Sequence, residues 1–144
     1  MDYLQLIADK SLLKGTLYYE FQPGPLEKGR VWSNHSVYLD ERAMDLIAPA
    51  IERAFPDYHP YSFQELSREG GHAFADELAQ LAAAIDNRDT LQIGKRLRSQ
   101  PNRQLEDLLR NPAFCDSLAS LARALSEWIV STLRERSTIA LLGL

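Results

Sequence analysis

The stretch Leu17-Tyr18-Tyr19-Glu20-Phe21, near the amino end of the chain, decides the fold class. Aromatic residues at this density favour β-strands. A second run of this kind is Val31-Trp32-Ser33-Asn34-His35-Ser36-Val37-Tyr38-Leu39, and Pro23-Gly24-Pro25 and Gly29 between the two runs are typical of turns. The two runs therefore predict an antiparallel hairpin.

Two amphipathic helices are predicted after the hairpin, because apolar residues recur there at helical spacing. The first begins at Asp40, a residue type that caps helices, and ends at Pro56. Pro49 lies inside it and predicts a kink or a later start, since proline removes a backbone donor. The second helix begins after Ser67 and stops at Asn87.

Three further helices are predicted in the second half of the chain. Asp89 resembles an N-cap for a short helix carrying Leu91 and Leu97 that Pro101 closes, and another short helix follows through residues 105–109. Asn111-Pro112 then reads as a cap with a first-turn proline. It opens the longest apolar pattern in the chain: Phe114, Leu118, Leu121, Leu125, Trp128, Ile129 and Leu133.

The chain ends on the apolar run Thr138-Ile139-Ala140-Leu141-Leu142-Gly143-Leu144. A short run without polar alternation is typical of a strand buried on both faces, or of a tail docked in the core. The predicted fold class is therefore α+β: a small antiparallel sheet, formed by the N-terminal hairpin with the C-terminal strand, packed against several amphipathic helices. No linker divides residues 1–144, so we expect a single domain.

Composition indicates a globular protein of the cytoplasm. The chain has 144 residues, of which 45% are hydrophobic and 25% charged. Cys115 is the only cysteine, which excludes an intramolecular disulfide and fits a reducing compartment. The N-terminus lacks a secretory pattern, and no run of apolar residues is long enough to span a membrane, so no membrane partner is expected.

Charge argues against nucleic acid as a partner. The net charge is −4, and residues 1–72 hold eleven acidic residues against seven Lys and Arg. Lys95, Arg96, Arg98 and Arg103 form a basic stretch that could follow phosphates, but no aromatic residues are interleaved with them. A solvated helix face is the simpler interpretation.

No catalytic, metal or cofactor site is predicted. Cys115 has no activating partner in the sequence and is expected to be buried as a small apolar residue. Gly70-Gly71 is not followed by the Gly-Lys-Ser/Thr of a phosphate-binding loop.

One alternative is a small cytoplasmic enzyme with a His/Asp metal or nucleotide site. His72 and Asp76 have the i, i+4 spacing of one helical face, and Asp57 and His59 are close to each other in sequence. These four side chains would have to converge in space. A surface hydrogen bond near a helix start explains His72 and Asp76 equally well.

The loop over residues 55–63 has the most unusual local composition, with four aromatic residues and two prolines. Tyrosine combines a large apolar face with a polar tip, and prolines stiffen a loop, as a preorganised recognition surface requires. Asp57, Tyr58, His59 and Tyr61 are therefore the predicted partner-binding residues. The alternative is that these rings simply cover the end of the first helix.

Several segments together resemble a group of small bacterial proteins that are uncharacterised or regarded as immunity proteins of polymorphic toxin systems. These segments are Thr16-Leu17-Tyr18-Tyr19-Glu20-Phe21, Gly29-Arg30-Val31-Trp32, Asp45-Leu46-Ile47 leading into Phe55-Pro56-Asp57-Tyr58, the long helix, and the terminal Ile139-Ala140-Leu141-Leu142-Gly143-Leu144. The similarity covers most of the chain, and its motifs are structural. Pro49 and the arginine-rich segment over residues 95–103 depart from the pattern.

The resemblance implies a cytoplasmic, non-catalytic protein that neutralises a cognate toxin by binding it. Many toxin domains that attack nucleic acids are basic, and an acidic partner associates with them faster. The acid-rich first half would then be the contact face. The identity of the toxin, and whether the chain forms a homo-oligomer, are left open by the sequence.

Overall fold

The computed structural model of the chain describes residues 2–15, 17–98 and 105–143. A short 3-10 turn, Lys10–Leu12, precedes the first strand. The regular elements are, in chain order, β1 (Tyr18–Pro23), β2 (Val37–Asp40), α1 (Glu41–Ala54), β3 (Phe63–Ser67), α2 (Arg68–Asp86), α3 (Thr90–Arg96), α4 (Leu105–Leu109), α5 (Pro112–Glu135) and β4 (Thr138–Leu142).

The four strands form one antiparallel sheet in the order β2-β1-β4-β3. The C-terminal strand β4 lies in the interior of this sheet, with β1 on one side and β3 on the other. The predicted α+β class is confirmed, and the apolar C-terminal run is a strand. Both faces of β4 are buried, because Ile139, Ala140, Leu141 and Leu142 are all at most 4% exposed.

The main hydrophobic core lies between one face of the sheet and helices α1, α2 and α5. Alternate strand residues point toward this face, which we call the inner face. Its central members, all fully buried, are Phe21 from β1, Leu39 from β2, Leu66 from β3 and Leu141 from β4. Among the helices, α2 and α5 make the most extensive contact.

The predicted helix caps are confirmed, and each supplies a side-chain oxygen to a free backbone N–H of the first turn. The oxygen-to-nitrogen distances are 2.8 Å from Asp40 to Arg42, 3.0 Å from Ser67 to Gly70, 3.2 Å from Asp89 to Gln92 and 3.0 Å from Asn111 to Ala113. Asn87 ends α2 as predicted.

Two strands differ from their predictions. β2 begins only at Val37, because the backbone N–H groups of Trp32 and Ser33 donate to a side chain and not to a neighbouring strand. β3 was not predicted, since its sequence has few β-favouring residues and its partner β4 lies at the other end of the chain.

The helical predictions at Pro49 and after Asp89 have different outcomes. α1 runs through Pro49 from Glu41 to Ala54, which excludes the predicted later start, while the alternative, a kink, stays a prediction. The helix after Asp89 ends at Arg96, and its predicted apolar residue Leu91 is 67% exposed. The predicted closing residue Pro101, like Thr16, Arg103 and Leu144, lies outside the described residues. Within the described ranges, no helix is both long and apolar enough to cross a bilayer.

Gly143 and Gly94 give a matched test of how closely the end of β4 packs against the loop before β3. A Cβ at Gly143 would clash with the carbonyl oxygen of Pro60 and lie 2.8 Å from that of Ser62, whereas a Cβ at Gly94 in α3 would meet nothing within 4 Å. We expect Gly143→Ala to lower the free energy of unfolding by about 1–3 kcal/mol through overpacking. Gly94→Ala should raise it by about 0.5–1 kcal/mol through helix propensity. Urea unfolding measures both, and equal effects would contradict the contact at Gly143.

Candidate binding site on the outer face of the sheet

The face of the sheet away from the helices, the outer face, carries one row of side chains that crosses all four strands. Tyr38 of β2 is in register with Glu20 of β1, Glu20 with Leu142 of β4, and Leu142 with Phe63 of β3. Tyr38, Glu20 and Leu142 are each at most 4% exposed, although none belongs to the main core. Another part of the chain therefore covers much of the outer face.

That cover is the connection between β1 and β2, residues 24–36, which we call the covering loop. It is held by the carboxylate of Glu20, which accepts four hydrogen bonds. The donors are the backbone N–H of Trp32 at 2.6 Å, the backbone N–H of Ser33 at 2.8 Å, Ser36 Oγ at 2.6 Å and Gln22 Nε2 at 2.9 Å.

The backbone at Trp32 adopts the left-handed conformation, with φ of 55°. Residues other than glycine rarely adopt it, and it costs about 1–2 kcal/mol. The left-handed conformation at Trp32 lets the successive backbone N–H groups of Trp32 and Ser33 point at the same anion, the Glu20 carboxylate. This arrangement, called a nest, is known from anion-binding sites. Hydrogen bonds to the Glu20 carboxylate thus offset a strained backbone.

Gln22 and Arg30 fasten the other end of the covering loop. Gln22 Nε2 donates to the carbonyl oxygen of Arg30 at 2.8 Å, and Arg30 Nε donates to Gln22 Oε1 at 3.0 Å. Arg30 also donates to the carbonyl oxygen of Pro23 at 2.8 Å and forms an ion pair with Glu27 at 3.5 Å. The guanidinium is therefore engaged away from Glu20. No ion pair to Glu20 is formed by the residues that the structure describes.

A cavity of about 140 Å³, the outer pocket, opens between the covering loop and the row of side chains. It is lined by Tyr18, Glu20, Val31, Trp32, Tyr38, Phe63, Leu142 and Gly143. Four of these residues are aromatic, and among the described lining residues Glu20 alone carries a charge. The ring centroids of Trp32 and Tyr38 are 5.9 Å apart.

Hydroxyl groups fix two of the pocket's rings. Tyr38 donates to the carbonyl oxygen of Ser33 at 2.8 Å, and burial and the nearby Glu20 carboxylate raise the pKa of Tyr38 to about 12. The phenol therefore remains a neutral donor at physiological pH. The Tyr18 hydroxyl accepts from the backbone N–H of Lys14 at 3.0 Å. Both rings are thus held in place before any partner arrives.

Apolar side chains are exposed around this pocket. Val31 is 49% exposed, Trp32 37%, Phe63 53% and the neighbouring Tyr61 70%. Large exposed hydrophobic residues elsewhere in the described chain are Leu12, Leu17 and Leu91. Contiguous exposed apolar surface of this kind marks interaction sites in soluble proteins.

The structure separates the four partner-binding residues predicted from the sequence. Asp57, His59 and Tyr61 are exposed, but Tyr58 is half-buried against the main core. Burial, followed by the effect of the nearby Tyr19 hydroxyl, raises the pKa of Tyr58 well above its usual range. Tyr58 therefore has the packing expected of a ring that anchors the loop.

The loop that carries these residues adjoins the outer pocket. Gln64 ties the loop by accepting from the backbone N–H of His59 at 2.9 Å and donating to its carbonyl oxygen at 2.8 Å. Gly143, a lining residue of the pocket, donates to the carbonyl oxygen of Ser62 at 3.1 Å. Tyr61 and the pocket thus lie at the same end of the sheet.

The residues of the alternative enzyme site are not brought together as metal ligands. Among the described residues, no group of three or more His, Cys, Asp and Glu side chains could hold a metal ion. His59 Nδ1 accepts from the backbone N–H of Tyr61 at 3.1 Å, while His72 and Asp76 are exposed on α2. Cys115 is half-buried, and burial raises the pKa of its thiol.

Two arginines of the basic stretch, Arg96 and Arg98, are ion-paired within the fold. Arg96 forms an ion pair with Glu77 at 2.9 Å, and Arg98 forms ion pairs with Asp45 at 3.7 Å and with Glu52. These contacts join α3 and the residues after it to α1 and α2. Arg96 and Arg98 therefore lie on an ion-paired surface of the helical layer.

Sequence reasoning missed the outer pocket. Glu20 shares a strand face with Tyr18 and Gln22, and a polar residue at such a position is normally solvated. The available signal was the long connection over residues 24–36, which carries Trp32 and several turn residues between two paired strands. A connection of this length can fold back over the sheet.

Glu20→Gln tests whether the carboxylate holds the covering loop. The amide nitrogen would face at least one of the donors now bound by the carboxylate, so we expect the free energy of unfolding to fall by about 1–3 kcal/mol. Glu65→Gln is the matched control, because Glu65 lies on the same sheet face but is exposed, and it should change stability by less than about 0.5 kcal/mol. Urea unfolding gives both values, and an unaffected Glu20→Gln would contradict the assigned role.

The two tyrosines of the adjoining loop should behave differently. We expect Tyr58→Ala to lower the free energy of unfolding by about 2–3 kcal/mol, below the 3–5 kcal/mol typical of a fully buried aromatic residue. Tyr61→Ala should change it by less than about 0.5 kcal/mol, since Tyr61 is 70% exposed. Thermal and urea unfolding measure these effects. A stability loss at Tyr61 matching that at Tyr58 would refute the distinction.

No family model, curated protein or solved structure matches this chain in comparisons with known proteins. The structural argument for the outer pocket therefore rests on the residues of this chain. The resemblance to bacterial immunity proteins stays a prediction.

Proposed function

We propose that this chain is a non-catalytic binding protein whose partner docks on the outer pocket and on the adjoining exposed residues of the loop at 57–61. The observation that carries the proposal is the cluster of exposed apolar side chains at the pocket: Val31, Trp32 and Phe63, with Tyr61 beside them. Surfaces of this type bind proteins, because docking removes apolar area from water.

The rigidity of the surface supports a binding role. The Glu20 carboxylate holds the backbone at Trp32, and Gln64 and Gly143 hold the backbone before Phe63. A loop backbone that is already held in place loses little conformational entropy on association. Tryptophan and tyrosine in such settings supply much of the affinity of protein interfaces.

The size of the outer pocket favours a protein partner over a small-molecule substrate. Its volume of about 140 Å³ is well below the roughly 300–1,000 Å³ of pockets that enclose small-molecule ligands. A pocket of this size matches a single side chain projecting from a larger surface. The surrounding exposed residues would then contact the rest of that surface.

The proposed partner is a cognate toxin that the chain neutralises in the cytoplasm. Support comes from the family resemblance and from the acid surplus of residues 1–72, which contain most of the pocket. An acidic inhibitor would be drawn rapidly to a basic toxin domain by long-range attraction. A chain with one cysteine, Cys115, fits a reducing compartment.

Co-expression tests this function. Each protein encoded beside this gene is expressed alone and together with this chain, and growth and co-purification are measured. We expect one neighbour to arrest growth alone, and wild type to restore growth and bind it. Phe63→Ala should weaken binding by roughly 2 kcal/mol or more, the threshold for an interface hot spot, because it removes a ring on the pocket's rim.

Leu91→Ala is the matched control, since Leu91 is 67% exposed on α3, in the helical layer and away from the outer face. It should bind as wild type does, and unfolding curves should show both variants folded. The proposal fails if no neighbour is toxic, if the chain does not relieve the arrest, or if Phe63→Ala binds as tightly as Leu91→Ala.

A further inference from the structure

The chemistry of the outer pocket selects the kind of side chain that it can accept. Its described lining contains four aromatic rings, one carboxylate and no cation. Aromatic faces carry negative electrostatic potential and attract ammonium and guanidinium groups, most strongly at tryptophan. Trp32 and Glu20 therefore give the pocket the same sign of potential.

We propose that the outer pocket receives the side chain of a lysine or arginine from the protein partner, with the cationic group between the aromatic rings and facing Glu20. This inference rests on the proposed function, since it specifies the partner's chemistry at the same surface. It assigns Glu20 and Phe63 the role of selecting a basic residue.

The charge of Glu20 remains available to such a cation. Its four hydrogen-bond donors are neutral groups: two backbone amides, a hydroxyl and a side-chain amide. These donors solvate the carboxylate without cancelling its charge. Oε1 accepts one hydrogen bond, from Trp32, although a carboxylate oxygen can accept two.

No lysine or arginine is among the described lining residues of the outer pocket. Arg30 is held by Gln22, Pro23 and Glu27, and Arg42 is paired with Asp40 at 2.8 Å. Lys10 Nζ donates to the carbonyl oxygen of Trp32 at 3.3 Å, and Lys10 is not among the lining residues of the outer pocket. The negative potential in the pocket is therefore left for an external cation.

Other occupants fit this chemistry less well. An acidic side chain would meet the Glu20 carboxylate and be repelled. An apolar side chain would gain nothing from the negative potential of the Glu20 carboxylate and the aromatic faces. A basic side chain places its methylene stem against Leu142 and the rings and its charge toward the carboxylate.

Blocked amino acids can be used as probes in NMR titrations of the folded full chain. The probes are the N-acetyl methylamides of lysine, arginine, norleucine and glutamate, with tetramethylammonium as a free cation. We expect lysine and arginine to give saturable shifts at the Trp32 indole and the Ser33 amide. Norleucine should bind at least about threefold more weakly, and glutamate should not bind.

Variants of the pocket separate charge from apolar contact. Phe63→Leu keeps an apolar side chain but removes the aromatic face, so we expect lysine binding to weaken about two- to fivefold, as a partly exposed cation–π contact implies. Glu20→Gln should weaken it about tenfold or more, and the Ser33 amide signal reports whether the covering loop stays in place. Leu91→Ala should leave binding unchanged.

The inference is overturned if norleucine or glutamate binds as well as lysine, if no probe binds, or if tetramethylammonium binds more tightly than either amino acid. The last result would indicate a site for a free ammonium compound. Failure of the proposed function looks different: lysine would bind, yet a co-purified partner would be indifferent to Phe63→Ala. The opposite combination is that Phe63→Ala weakens binding of the co-purified partner, but norleucine and lysine bind the pocket equally well. That result refutes only the assignment of a basic residue and leaves the proposed function intact.

Discussion

The outer face of this protein depends on one buried carboxylate. Glu20 is 4% exposed and has no ion-pair partner among the described residues, so its charge must be stabilised by hydrogen bonds alone. Two of them come from consecutive backbone amides of a loop that would otherwise leave the sheet. Each hydrogen bond to a charged group contributes about 1.5–3 kcal/mol, enough in sum to hold a left-handed Trp32. The position of the covering loop, the burial of Tyr38 and Leu142 on the outer face, and the outer pocket all follow from this contact.

The register of the sheet determines which side chains lie beside Glu20 on the outer face. Because β4 lies between β1 and β3, residues from both ends of the chain meet in one row, with Glu20 next to Leu142 and Leu142 next to Phe63. A register shift of one residue would turn this row toward the helices and bury a charge in the main core. Gly143 extends β4 to the carbonyl oxygens of Pro60 and Ser62, which joins the pocket to the adjoining loop. The sheet register therefore also determines the position of the outer pocket.

Local chemistry explains which features could be predicted from the sequence. The caps at Ser67 and Asn111 depend on an oxygen-bearing side chain followed by apolar periodicity, so both the signal and its cause lie within a few residues. β3 became a strand only by pairing with β4, and Glu20 became buried only because residues 24–36 fold back, so neither could be recognised locally. The loop at 57–61 was predicted as a surface feature, but separating Tyr58 from Tyr61 required knowing that Tyr58 reaches Tyr19.

The floor and the rim of the outer pocket contribute differently to the stability of the fold and to the proposed binding. Glu20 at the floor holds the covering loop and also sets the sign of the pocket's charge, so any change there alters stability and binding together. Phe63 at the rim is 53% exposed and lies outside the main core, so its side chain can change at little cost to the fold. Val31 is 49% exposed and occupies a comparable rim position. If the proposed function holds, the floor can stay fixed, with the proposed preference for a basic side chain, while rim substitutions adjust which individual partner is bound.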